Sequence, residues 1–230
     1  MRWRACVADN NAAARAVAWA IVPTAALLTL NGFYLGAAFR ASEALFWLLD
    51  VLQFVLVPLA SVWALSRLSG VRPRHYGLGP LAGEDGPAMA VATYALVIGV
   101  YVYGYGLAKI LALMLPWEWP ATAFFYTRAI PTHPGGALAV LAYLSLTAAF
   151  VEEIMYRGLP ALALRPDVYP LVSGAAFALI HWESGTREVV ATFMLGVVLA
   201  ALYLRIRNLW PFVAGHAVTD MLAFTGTYGY

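Results

Sequence analysis

Runs of apolar residues approaching the roughly 20 residues that a membrane span needs recur along the whole chain. They fall at about 16–39, 44–66, 88–115, 137–164, 168–183, 187–205 and 209–226. The breaks between them carry turn residues. Arg67 to Asp85 is a polar stretch rich in Gly, Pro and Arg. Pro116 to Gly136 holds four prolines and two tryptophans, which suits an interfacial or re-entrant connection. Arg165-Pro166-Asp167 is a tight turn, so the helices on either side of it pack as antiparallel neighbours. The pattern predicts an all-α fold, a polytopic transmembrane bundle of about seven helices. The count becomes six or eight if 116–136 dips into the membrane or a short run fails to span.

Composition sharpens this. Of the 230 residues, 63% are hydrophobic and 11% charged, with a mean hydropathy of +0.75. A soluble domain carries about 25% charged residues. Residues 1–230 therefore read as a single integral membrane domain, with the lipid bilayer as its main partner. The net charge of +2, without a basic run, excludes nucleic acid as a partner. The one cysteine, Cys6, permits no internal disulfide and no zinc-ribbon pattern. The first apolar stretch is too long for a signal-peptide core and reads as a retained helix. Fourteen cations include one lysine, Lys109. With abundant alanine, that is the usage of a high-GC prokaryotic genome and points to a prokaryotic plasma membrane. With the N-terminus in the cytoplasm, most of the cations fall on the cytoplasmic side, among them Arg67, Arg72, Arg74, Arg165, Arg205 and Arg207. The positive-inside rule thus predicts N-terminus in and C-terminus out.

Against this apolar background a few ionisable residues stand out. A carboxylate at bilayer depth costs roughly 3 kcal/mol or more. Glu152 and Glu153 nevertheless sit side by side in the fourth run, with Arg157 one turn on. Glu153 and Arg157 are four apart and can pair. Glu152 is rotated by about 100° and is left to face a cavity. A carboxylate taken out of water becomes a usable general base near neutral pH. Phe177 and His181 share a face of the next helix at the same spacing. Glu152 lies twelve residues before Leu164, and His181 thirteen after Val168. At 1.5 Å per residue, both sit ~18–20 Å from the shared turn. A Glu and a His meeting at one depth can hold and deprotonate a water. His216 and Asp220 repeat the four-residue spacing in the last helix and can steady an oxyanion.

The remaining polar residues have plainer readings. His75 and His133 are loop residues without a role. Glu183, Arg187 and Glu188 mark the solvated end of a hairpin, Asp50 is interfacial, and the Trp and Tyr residues near span ends form an aromatic belt. Gly196 and Ala200 permit close helix packing. Absence of HExxH, of GxSxG and of an intramembrane aspartate pair disfavours a zinc protease of that type, a rhomboid-like serine mechanism and an aspartyl mechanism. The residues leave several readings open: a membrane peptidase, the same four side chains around a zinc ion, a non-enzymatic scaffold or self-immunity factor, and proton-coupled transport.

Taken together, E-E-x-x-x-R, F-x-x-x-H and H-x-x-x-D in successive late helices resemble the CPBP family, the CAAX prenyl endopeptidases and bacteriocin-processing enzymes also called Abi. The resemblance covers residues 137–226. It implies an intramembrane glutamic endopeptidase with no metal or cofactor, acting on a membrane-associated, lipidated or hydrophobic-tailed peptide or protein. By that resemblance Glu152 and His181 activate water, and His216 and Asp220 form the oxyanion site. Glu153 and Arg157 support the first motif, and Phe177 belongs to the second. Eukaryotic relatives carry Asn in place of Asp220. An ionised Asp donates no N–H, so Asp220 acts protonated or by orienting His216. Nothing in the pattern specifies an oligomeric state.

Overall fold

Backbone groups in hydrocarbon must find their hydrogen-bond partners inside their own segment, and each apolar run accordingly folds as a helix. The structure is a computed structural model, and it describes residues 11–80, 86–116, 118 and 126–226. Seven helices are found among these residues: α1 (Asn11–Ala41), α2 (Glu43–Ser69), α3 (Gly86–Ala112), α4 (Pro134–Ala163), α5 (Tyr169–Leu179), α6 (Thr186–Ile206) and α7 (Trp210–Phe224). The protein is an all-α integral membrane protein. Helices α1–α4 and α6 are long and apolar enough to cross a bilayer. The other two are shorter than the expected full spans. With 11 and 15 residues, α5 and α7 measure only ~16 and ~22 Å. Cys6, Arg2, Arg4 and, in the 116–136 connection, residues 117 and 119–125 lie outside the described residues.

α1 lies along α2, while α7 packs against both α3 and α4, and α3 also packs against α6. α5 and α6 form an antiparallel hairpin at close quarters. A Cβ added to Gly174 would come within 2.9 Å of the Val197 backbone nitrogen, and one on Gly196 within 2.9 Å of the Gly174 Cα. The small residue expected at 196 therefore does allow tight packing.

Both α2 and α4 contain one widened π turn, Leu52–Leu56 and Ile154–Gly158. Proline explains the placement. Pro58 and Pro160 have no N–H to give to the carbonyl four residues earlier, and their rings crowd it. In α4 the ladder adjusts by bonding Leu159 N–H to Ile154 O at 2.9 Å. The carbonyl that Pro160 leaves without its usual partner, that of Tyr156, accepts from Ser173 Oγ. The next carbonyl, Arg157 O, accepts from Tyr169 OH at 3.0 Å. Ser173 and Tyr169 are four apart on α5, so one face of α5 satisfies the opened turn of α4.

Several acids expected at the water interface are buried instead. Asp50 is fully buried and accepts from Tyr126 OH (3.0 Å) and Tyr143 OH (2.8 Å). Glu188 accepts from Tyr105 OH at 2.7 Å and lies 3.3 Å from Lys109 Nζ. Glu183 is buried against α1. Tyrosines explain the difference for Asp50 and Glu188, and the Gly32 N–H for Glu183. Tyr76, Tyr101, Tyr156, Tyr169 and Tyr203 are core residues rather than belt residues, and a phenol offers a buried carboxylate a donor without adding a charge.

Candidate active site

The site is built around a single oxygen atom. Glu153 Oε1 receives three donors: Arg157 Nη1 at 2.8 Å, Tyr101 OH at 2.5 Å and His216 Nδ1 at 2.8 Å. They come from α4, α3 and α7. Glu153 and Arg157 have no solvent exposure, so the expected pair forms, within the π turn. Arg157 is held a second way, its Cζ lying 3.9 Å from the centre of the Phe177 ring. A desolvated cation–π contact of this kind contributes about 2 kcal/mol.

Phe177 organises the rest. Its ring meets His181 edge-on at 4.9 Å and His216 at 5.8 Å. Tyr101 stacks on His216, with centroids 5.4 Å apart and planes 23° apart. The His216 ring is thus fixed in place and in tilt. The proton position follows from its neighbour. Glu153, an ion-paired carboxylate, only accepts, so His216 Nδ1 carries a proton. Nε2 then faces Glu152 Oε2 at 3.8 Å and Asp220 Oδ1 at 3.6 Å. Both separations exceed hydrogen-bond length.

Both glutamates bury an Oε2 without a hydrogen-bond partner. They differ in their other contacts: Glu153 Oε1 takes three donors, whereas Glu152 Oε2 lies 3.8 Å from His216 Nε2. Buried acceptors in native proteins are almost always satisfied, and an exception calls for a role. Glu153 is tied into the structure through Oε1, whereas the open oxygen of Glu152 faces the imidazole of His216.

His181 corrects the expectation of one continuous helical face. α5 ends at Leu179, and His181 follows at φ −102° and ψ 8°. The last carbonyls of a helix lack N–H partners. The His181 ring supplies one, Nδ1 bonding Phe177 O at 2.9 Å. A carbonyl accepts only, so Nδ1 bears the proton and Nε2 of the neutral ring keeps its lone pair. No hydrogen bond joins Glu152 to His181; Glu152 lies near His216 and His181 against Phe177. Exposure rises from Glu153 and Arg157, fully buried, through Glu152 and His216 to the partly exposed His181 and Asp220. The open side of the cluster is therefore that of His181 and Asp220. Among the described residues no three His, Cys, Asp or Glu side chains converge as metal ligands.

Sequence reasoning missed Tyr101, and with it Tyr105 and Lys109. They form a stripe at four-residue spacing on α3, reaching Glu153 and then Glu188. That spacing was the available signal.

Residues 134–222 match the family model described as Rce1-like, type II CAAX prenyl endopeptidase. That segment, 89 of the 230 residues, is similar to this family. The match spans α4 to α7 and contains Glu152, Glu153, Arg157, Phe177, His181, His216 and Asp220, while α1, α2 and α3 lie outside it. No curated protein and no solved structure matches the chain. The matched family is described as one of endopeptidases, which supports an enzyme that acts on a peptide or protein.

Proposed function

We propose that the chain is a glutamic endopeptidase that works without a metal. It hydrolyses a peptide bond in a membrane-associated peptide or protein with a lipidated or hydrophobic tail. The observation that carries this reading is the buried, unpartnered Oε2 of Glu152, facing His216 Nε2. Glu152 takes a proton from a water that also donates to His181 Nε2. The water oxygen bonds to the scissile carbonyl carbon, and the carbonyl oxygen becomes an oxyanion. His216, when it carries a proton on Nε2 as well, donates to that oxygen, with Asp220 at 3.6 Å orienting the ring. Collapse of the adduct breaks the C–N bond, and Glu152 passes its proton to the leaving amine. The products are a new carboxyl terminus and a free amine. Glu153 and Arg157 hold the frame and do not touch the substrate. We further propose a prokaryotic plasma membrane with the N-terminus cytoplasmic, the orientation the cation distribution favours.

The test is cleavage of prenylated and hydrophobic-tailed peptides by the protein in liposomes. Glu152→Gln lowers turnover by about 10²–10⁴-fold, the contribution of a general base, and leaves the fold intact. A chelator leaves wild-type turnover unchanged. Loss of cleavage with chelator transfers the same residues to a metal mechanism. Cleavage retained by both Glu152→Ala and His181→Ala sinks the peptidase reading.

A further inference from the structure

His181 is tethered from two directions. Its own ring bonds back to Phe177 O, and the two residues after it reach away from the site to α1. Trp182 Nε1–H donates to Thr29 O at 2.8 Å, and the indole packs on Phe33 at 5.4 Å. Glu183 Oε1 accepts from Gly32 N–H at 2.9 Å. Thr29, Gly32 and Phe33 lie on one face of α1, at three- and four-residue spacing. The approach at Gly32 is extreme. A Cβ there would stand 1.3 Å from Glu183 Oε2 and 1.9 Å from Glu183 Cδ, so the carboxylate occupies the place where any other side chain begins. Two residues on, Gly185 closes the turn at φ 98°, a conformation suited to glycine.

Packing alone does not account for Glu183. It is 5% exposed, and burial pushes its carboxyl above the ordinary range, opposed by the bond from Gly32. A buried carboxylate bonded to a helix backbone is an expensive way to fill space. It is an effective way to fix the height and rotation of a turn. The residue whose position that turn sets is His181. α1 lies outside the segment 134–222 that matches the family model.

We propose that α1 acts as a clamp on the His181 turn, with Gly32 and Glu183 as positioning residues for the reaction and Trp182–Thr29 as the second point of attachment. The clamp rests on the reading of His181 as the partner of Glu152, and its test separates the two. The full chain is prepared in nanodiscs with 15N-labelled histidine, as wild type, Gly32→Ala, Glu183→Ala, Gly32→Ala/Glu183→Ala and Trp182→Phe. His181→Gln identifies the His181 imidazole signal, and the signals of His75, His133 and His216 report on the rest of the fold.

Wild-type His181 shows the Nδ1–H tautomer. Gly32→Ala expels the carboxylate and shifts the His181 signal while the other three stay in place. Its kcat falls about 10–100-fold, as expected for an ångström-scale displacement of a reacting group, with KM little changed. Glu183→Ala has a smaller effect, and Trp182→Phe a similar one. The double variant is no worse than Glu183→Ala, because the three atoms nearest the new methyl, all of the Glu183 carboxylate, are then gone. A misfolded Gly32→Ala protein would not be rescued this way. A Gly32→Ala protein with wild-type His181 signal and kcat overturns the clamp, as do losses that simply add in the double variant. If the wild type cleaves no peptide while the His181 signal still follows Gly32 and Glu183, the clamp stands and the peptidase reading falls.

Discussion

Glu153 Oε1 gathers donors from three helices, and the value of each can be measured separately. Arg157→Ala leaves a carboxylate buried without its countercharge, a change that costs about 3–5 kcal/mol. Thermal unfolding in detergent should show a correspondingly large drop in midpoint. Arg157→Lys restores the charge but not the flat face that lies on Phe177, so it recovers only part of the loss. Tyr101→Phe keeps the ring on His216 and removes one donor to a charged acceptor, a loss of about 1.5–3 kcal/mol. The Glu153–Arg157 pair was legible because its partners are four residues apart in one helix. Tyr101 was not, since a tyrosine in an apolar run looks the same whether it faces lipid or a buried acid. Asp50, Glu183 and Glu188 were misread for the complementary reason. Their partners are phenols, a lysine and a backbone N–H on other elements, and an isolated acid near a span end resembles a solvated one.

At the scale of elements, the seven apolar runs located the helices, but not where α5 and α7 stop or where α2 and α4 widen. The π turn of α4 has a local cause in Pro160 and a tertiary remedy in Ser173 and Tyr169. This predicts a coupling. Ser173→Ala should cost about 1–2 kcal/mol in the wild type, where it deprives the buried Tyr156 carbonyl of its donor. In a Pro160→Ala background residue 160 supplies an N–H to that carbonyl, and the cost of Ser173→Ala should fall toward zero. A double-mutant cycle on unfolding midpoints reads the difference; equal costs in both backgrounds would mean that Pro160 does not cause the widened turn. The position of Arg157 on that turn connects the element to the site, because closing the turn rotates Arg157 relative to Phe177.

For the whole molecule, the segment that matches the family is only the inner part of the working unit. α3 supplies Tyr101 to Glu153, and α1 holds the turn after His181. Orientation is a property of the same scale. Reporters fused at Arg165–Asp167 and after Arg207 should both read as cytoplasmic, and an external reading at either would reverse the proposed topology. The motifs made the residues of the candidate site legible, and the supporting helices were not, because their contribution depends on contacts distant in sequence. The four-residue spacing of Glu153 and Arg157 has a further consequence, in time rather than in space. Chains are made from the N-terminus, and α4 is synthesised before α7. His216 lies 63 residues after Glu153, too late to help Glu153 enter the membrane. Arg157 is present from the start, so α4 leaves the ribosome with the charge of Glu153 already neutralised within one turn. Glu152 is then the only acid of that helix that must wait for the last one to arrive.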